Sequence, residues 1–410
     1  MTDYKTQISV LEAISLTESQ ASKLEPETLP LQQCYGRTLA TDLTSKVAHP
    51  SLDNSALDGY ACRAADLLTA TREQPVSLKV IGDVPAGSVF NGSVGPGEAV
   101  SIYTGAPVPS GTDAILRVED TTRQTDTVLC FAPADAGAVR RRGQDFAAGV
   151  SLIKAGTVLN AASVGVAAAT GYGELSVTRQ PRVAILATGD EVIEPGEAIR
   201  DGQVFNSNSY SVAGLVRAAG AVPIILPRME DDKSRLEQAF KEAGTPDLLL
   251  TSGGVSMGNY DFVRDLLFEN GEVYFWKVAM KPAGPVLFGR WQNMPVLGLP
   301  GNPVSSMVAF LILARAFIRK QLGQNSPLPY QARQTAVTDV SLKSAGFKET
   351  FIRLVMAQEE DGHLHVNTTG SQNSGVLTSM LYANALAVVP PHTQYKVGDK
   401  LEVIPLTPYL

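Results

Sequence analysis

Two carboxylates, Asp53 and Asp58, stand in DNSALDGYA among residues too small to build a core. The stretch is too polar for a core strand and holds no Lys or Arg to neutralise its own acids. It reads as a turn that offers carboxylate to something else. A second set of candidates lies where apolar runs end. VAILATGDE exits into Thr188, Gly189, Asp190 and Glu191, and LLLTSGGVSMGNYD exits into Thr251, Ser252, Gly253, Gly254, Ser256 and Asp261. VLGLPGNPVSS exits into Gly301, Asn302, Ser305 and Ser306, and IILPRMEDD exits into Asp231 and Asp232. Hydroxyls, glycines and helix starts together cradle anions, because backbone N–H groups point outward and the helix dipole favours negative charge. A single turn of this kind is usually a plain strand–turn–helix junction. Several in one segment point to a phosphate or nucleotide pocket. Neither G-x-G-x-x-G nor G-x-x-x-x-G-K-[ST] occurs at these exits, so a dinucleotide site or a P-loop has no direct support.

The cations are sparse and clustered. Arg140, Arg141 and Arg142 lie in a Gly-flanked loop before Asp145, where guanidinium groups suit a phosphate or another oxyanion. The plainer alternative is a solvated loop with one arginine paired to Asp145. Lys277 and Lys281 in FWKVAMKPAGP are spaced for one helix face, but Pro282 argues for an extended segment. Asp58, Asp145, Glu191, Asp231 and Asp261 fall near these anion sites, where carboxylates beside phosphates usually hold Mg²⁺. Asp231 and Asp261 also fit as helix caps. The four histidines, His49, His363, His365 and His392, avoid every one of these motifs. His363 and His365 alternate on a predicted strand, so a zinc or Ser-His-Asp mechanism is unpromising.

These residues need elements to hold them. PRVAILAT, AVPIILP, DLLLTSGG and MPVLGLPG are apolar runs without alternation, as strands buried on both faces require. Helical segments lie between them (SYSVAGLVRAAG, KSRLEQAFKEAG, YDFVRDLLFENG), and the last strand feeds NPVSSMVAFLILARAFIRKQLG. This order predicts a mostly parallel sheet with right-handed crossovers over residues 179–326. The run VSSMVAFLILARAFI is too short for a membrane span and holds Arg315, so it reads as a buried helix. Upstream, SVLEAISL has helical spacing, and short β-rich runs between PAG, GPG and PSG turns predict an inserted β-domain over residues 49–147. Residues 1–48 with 148–178 form a linking unit. After the linker NSPLPYQAR, residues 329–410 read as a small β-barrel, with two strands around Asp361-Gly362 and two more in ALAVVPPHTQYKVGDKLEVIPL.

Lys plus Arg number 34 against 41 Asp plus Glu, and a net charge of −7 speaks against general nucleic-acid binding. Cys34, Cys62 and Cys130 are scattered and odd in number, which fits a reducing, cytoplasmic setting. MTDYKTQISVLEA has no basic segment leading into an apolar run, so no signal peptide and no membrane role are expected.

Taken in order, DNSALDGYA, TGAPVPSGTDAI, RRRGQD, ATGDE, SGGVSMGNYD, FWKVAMKP, GLPGNPVS and TTGSQNS resemble the molybdopterin molybdenumtransferases, the MoeA proteins and the E domain of gephyrin. The resemblance spans essentially the whole chain. It implies a multidomain α/β plus β protein, with a three-layer domain like that of the molybdopterin adenylyltransferases. It also implies an elongated homodimer whose clefts draw on both protomers. The implied reaction takes adenylated molybdopterin and molybdate, inserts the metal at the dithiolene and releases AMP, with Mg²⁺ or another divalent ion. Exchange with the adenylyltransferase and with apoenzymes that receive the cofactor follows from the same likeness. By motif match, Asp58, Thr104, Asp145, Glu191, Asp231, Asp261, Lys277, Lys281, Arg353 and Ser374 resemble active-site residues of the family. Pro300 and Pro303 of GLPGNP shape a loop there. Asp58, Glu191 and Asp145 are the expected reacting carboxylates. Asp145, Glu191, Asp231 and Asp261 are the expected metal ligands. The arginine cluster, the lysines and the hydroxyls of Thr104, Thr188, Ser252, Ser256 and Ser374 would bind anionic oxygens.

Two positions depart from the pattern. Gln144 stands where many members have Glu, and Ala283-Gly284-Pro285 replaces a stretch in which some relatives carry a further lysine. Two rival readings remain. An adenylyltransferase would have no use for DNSALDGYA or RRRGQD. A receptor-anchoring scaffold of the gephyrin type would have no need of intact acidic and basic motifs.

Overall fold

The computed structural model describes residues 4–229, 238, 245–255 and 262–407. No helix among them is long and apolar enough to cross a membrane.

Strands Arg182–Ala187, Leu248–Ser252 and Met294–Leu299 run parallel, with Val222–Ile225 parallel beyond the first. Their two faces are both apolar. Val183 and Ile185 point into one core with Val212, Val216, Val308 and Ile312, whereas Ala184 and Leu186 point into another with Val263, Leu266 and Leu267. Helices Ser207–Ala218 and Pro303–Ala309 therefore cover one side and Phe262–Asn270 the other, giving three layers. The apolar run after Pro303 continues as a π turn, Phe310–Ala314, and helix Arg315–Leu322, and it is buried as expected. KSRLEQAFKEAG lies almost wholly outside the described residues.

The sheet extends beyond the parallel strands. Leu287–Trp291 pairs antiparallel with Met294–Leu299, Gly271–Val278 pairs antiparallel with Leu287–Trp291, and Lys5–Ile8 adds a parallel edge. Helix Val10–Ser19 packs its Val10, Ala13 and Ile14 into the same core. Residues 5–19, expected in the linking unit, thus belong to the α/β layers. KTQI has three exposed residues of four, so its strand character comes from its neighbour rather than from an apolar pattern.

The chain then passes through a small core of Cys34, Leu39, Leu43, Leu159, Leu175 and Val177, in which Pro26–Pro30 pairs with Glu174–Thr178. Between the two halves of that core runs a six-stranded sheet, ordered Ala114–Arg117, Gly59–Cys62, Glu98–Ile102, Val76–Val84, Thr127–Cys130 and Thr121–Arg123. Cys34, Cys62 and Cys130 are all buried free thiols.

The C-terminal unit is a closed barrel, because Glu349–Gln358 pairs on one side with Leu364–Thr368 and on the other with Ala385–Val389. Lys400–Pro405 and Gln334–Thr338 complete the ring, the last strand being one more than the four expected. His365 is held between Asp339 at 2.8 Å and Asp361 at 3.1 Å, so both ring nitrogens are engaged and neither is offered to a metal. The Asp339 contact, then the Asp361 contact, raises its pKa above the ordinary 6.5. A raised histidine stabilises the fold below its unfolded pKa and loses that contribution as pH climbs through the folded value. Between about pH 6 and about pH 8.5, wild type should lose more melting temperature than His365→Gln does. Parallel melting curves for the two would refute the coupling.

Candidate active-site cleft

Three parallel strands end side by side at one edge of the α/β sheet, and their exit turns enclose a cleft of about 870 Å³. Clefts at the carboxyl ends of such strands are the usual ligand sites of open α/β sheets. Its walls are Thr188–Val192, Ser252–Gly254 and Gly301–Pro303, with Val204–Asn208 and Gly375 closing the sides. The middle turn demands glycine: Gly253 has φ +103° and Gly254 φ +67°. The N–H of Gly253 donates to Leu299 O at 3.1 Å, which ties two of the strand ends together.

Asn208, near the start of helix Ser207–Ala218, staples the other walls. Its amide donates to Ser252 Oγ and to Gly301 O, both at 2.7 Å. Among the described residues, Asn208 Oδ1 and Thr188 Oγ1 are buried without a hydrogen-bond partner. Ser209 Oγ and Thr251 Oγ1 nearby are unpartnered as well, so the strand ends behind the cleft form a polar patch. Sequence reasoning missed Asn208. Its signal is the amide- and hydroxyl-rich stretch NSNSYS, whose first three residues precede the predicted helix SYSVAGLVRAAG.

Of the expected residues, Thr188, Glu191, Ser252, Gly253, Gly254 and Pro303 line this cleft. Pro303 opens its helix at the position where proline costs no hydrogen bond. Pro300 shapes the preceding turn by accepting the Ser306 hydroxyl on its carbonyl. Ser374 sits at the rim, where its carbonyl accepts from Val304 N at 3.2 Å. Asp231, Ser256 and Asp261 lie outside the described residues.

Neither lysine is on a helix, in keeping with Pro282, and neither is among the residues that line this cleft. Lys277 is near the end of Gly271–Val278 with φ +70°, a conformation uncommon for a side chain of that size. Lys281 lies in the short strand Met280–Lys281, whose partner is Glu349–Thr350 of the barrel.

Arg353, named by the resemblance, lies inside the barrel unit. It is only 1% exposed, and its guanidinium donates to Ser379 Oγ at 3.2 Å and to the carbonyls of Ser371 and Asn373 at 3.3 and 3.2 Å. Burial lowers its pKa. In this geometry it fastens the loop that carries Ser374.

In the inserted unit the two aspartates of DNSALDGYA have separate tasks. Asp53 accepts from Arg142 N at 2.7 Å and from Arg141 Nη1 at 2.8 Å, which hold its carboxylate below the ordinary pKa. Arg141 is therefore paired with Asp53, not with Asp145. Arg140 pairs with Asn54 on the adjoining strand, and Arg140, Arg142 and Asp145 are exposed. Asp58 Oδ1 accepts both the backbone N–H and the hydroxyl of Thr104 at 2.7 Å, so two expected residues meet. The N–H first, then the hydroxyl, lowers the Asp58 pKa. The polar contacts of Asp53, Asp58, Thr104 and Arg141 all remain inside the inserted unit. Among the described residues no three His, Cys, Asp or Glu side chains cluster as a metal cage.

Known proteins are similar to this chain along nearly its whole length. Residues 8–171 match the MoeA N-terminal region (domain I and II), residues 184–320 the probable molybdopterin binding domain, and residues 335–406 the MoeA C-terminal region (domain IV). Molybdopterin molybdenumtransferase 2 of Mycobacterium tuberculosis is 37% identical over 391 residues, covering 93% of this chain and 95% of that protein. The molybdopterin molybdenumtransferase of Haemophilus influenzae is 35% identical over 368 residues, covering 89% and 90%. The crystal structure of the molybdopterin biosynthesis MoeA protein from Pyrococcus horikoshii OT3 superposes with a TM-score of 0.80 at 28% identity, covering 97% of this chain and 99% of that one. With all three regions present in order and relatives alike along nearly their whole length, the chain belongs to the molybdopterin molybdenumtransferase (MoeA) family.

Proposed function

We propose that this protein inserts molybdenum from molybdate into adenylated molybdopterin and releases AMP, the last step of molybdenum cofactor synthesis. The observation that supports the reading is the cleft of glycine and hydroxyl turns at the ends of three parallel strands. A nucleotide phosphate would rest against the glycine and hydroxyl turns at the strand ends, which are fixed before it arrives. Lys277, Lys281 and the Ser374 hydroxyl supply cations and a donor for the tetrahedral oxyanion.

Glu191 at the cleft, with Asp190 beside it, suits Mg²⁺, which binds through one or two carboxylates plus substrate phosphates. Asp231 and Asp261 complete the set expected from sequence. When bound, the ion would neutralise charge on the phosphoanhydride. Asp145 is assigned to the inserted unit's half of the site rather than to Glu191's neighbourhood.

Asp58, Thr104 and the exposed arginines do not line the cleft, and on the family likeness a homodimer would let a second copy present them to it. As molybdate exchanges an oxo group for the two dithiolene sulfurs, two thiol protons leave with that oxygen as water. Asp58 passes them.

The test is incubation of the protein with adenylated molybdopterin, Mg²⁺ and molybdate, following AMP. Molybdate-dependent AMP release with cofactor formation is expected. A parallel incubation with molybdopterin, ATP and Mg²⁺ that yields adenylated molybdopterin instead would support the adenylyltransferase reading. Absence of either turnover would support a scaffold.

A further inference from the structure

Trp276 sits where the glycine turn and the lysine segment meet. Its indole Nε1–H donates to Val255 O at 3.1 Å, one residue beyond the Gly253-Gly254 turn. The Lys277 ammonium lies 4.1 Å from the centroid of the same ring, and the Arg264 guanidinium carbon 5.6 Å from it. Phe268 packs edge-on at 6.1 Å and fixes the ring plane. A cation over an indole face is held by the ring quadrupole. The left-handed backbone at Lys277 folds that side chain back over its neighbour, a cost that needs an offsetting contact.

We propose that Trp276 is a positioning residue that holds the Lys277 ammonium over its ring, tied by the indole N–H to the segment after the glycine turn, so that the ammonium can meet an anionic oxygen of the substrates. The inference rests on the reading of Lys277 as an oxyanion anchor. The oxyanion is molybdate or the phosphate of the nucleotide, two sources of one chemistry. An indole serving only the core would pack as Trp291 does, which is 4% exposed. Trp276 instead is half-buried, with one polar bond to the cleft turn and a cation on its face.

Molybdate alone and AMP alone are titrated calorimetrically into wild type, Trp276→Leu, Trp276→Phe, Lys277→Ala and the Trp276→Leu/Lys277→Ala double variant. Trp276→Leu should weaken one oxyanion about fivefold, and Trp276→Phe should recover part of the loss through its remaining ring face. The double variant should be no weaker than Lys277→Ala. Weakening confined to molybdate assigns the anchor to molybdate, and weakening confined to AMP assigns it to the phosphate. If Lys277→Ala weakens binding and Trp276→Leu does not, or if the two losses add, the positioning role is overturned. If Lys277→Ala binds both anions as wild type does, the anchor reading has failed first. Should Trp276→Leu not fold, the chain's two tryptophans allow a second readout. In Trp291→Phe the remaining Trp276 emission should respond to the oxyanion, and the response should vanish when Lys277→Ala is added. A response that survives the lysine change overturns the proposal.

Discussion

Gly253→Ala is expected to lower molybdate-dependent AMP release roughly a hundredfold in kcat/KM, as misplacement of positioned groups by about 1 Å does. It should also cost about 2 kcal/mol of stability, typical of a side-chain-bearing residue held in a disfavoured backbone region. Two effects coincide there. The φ of +103° disfavours any L side chain, and a Cβ would stand 2.9 Å from Thr188 Oγ1 and 3.0 Å from Thr188 O. Thr188 cannot yield, since it is 5% exposed and its N–H donates to Ser252 O at 3.2 Å. The methyl therefore pushes apart the ends of Arg182–Ala187 and Leu248–Ser252 and removes the floor on which a phosphate would rest. Gly202→Ala is the control: its φ is +85°, but nothing lies within 4 Å of the added carbon. It should lose stability and keep activity. Thermal melts and initial rates on both variants separate backbone strain from cleft geometry. A Gly253→Ala protein within threefold of wild type would remove the glycine turn from the site.

What could be read from sequence divides along physical lines. The parallel strands and their exit turns were legible because burial on both faces leaves an unbroken apolar run, and glycine and hydroxyls mark the turn beside it. Thr188, Ser252, Gly253 and Gly254 fell where such turns end. The edge strand Lys5–Ile8 was hidden, since an exposed edge needs no apolar pattern, and so was its partner Gly271–Val278. Pairings between polar residues far apart were hidden too. Asp53 meets Arg141 across 88 positions and Asp58 meets Thr104 across 46, with nothing in the local text to announce either. The family resemblance named Asp58 and Thr104 separately, and only the fold joins them. The resemblance names Arg353 without saying whether it is inside or outside, and the fold buries it. Here the Ser379 hydroxyl and two loop carbonyls satisfy it inside.

Asp58→Asn should cut the rate roughly a hundredfold or more, the usual worth of a positioned proton-transferring group, while leaving the melting temperature near wild type. The pairing with Thr104 makes the substitution discriminating. An asparagine oxygen still accepts the Thr104 N–H and hydroxyl, so the turn that carries both residues keeps its two bonds. What disappears is the charge and the capacity to take a proton. If Asp58 merely fastens the turn, the asparagine protein works normally, and wild-type kinetics would falsify the proton-passing role. The acid side of the pH profile gives an independent check. Because both Thr104 donors favour the ionised form, the Asp58 pKa lies below the ordinary 3.8, and the stability it contributes is lost as pH falls through that lowered value. Activity that depends on its carboxylate should therefore persist down to the limit set by other groups. Thr104→Val removes only the hydroxyl donor, so the carboxylate pKa should rise toward its ordinary value, and any acid limb due to Asp58 should move upward with it. Anchor and proton carrier both need the ionised carboxylate, so an acid limb that stays in place in Thr104→Val would assign that limb to another group, while the rate of Asp58→Asn decides whether the carboxylate is needed at all.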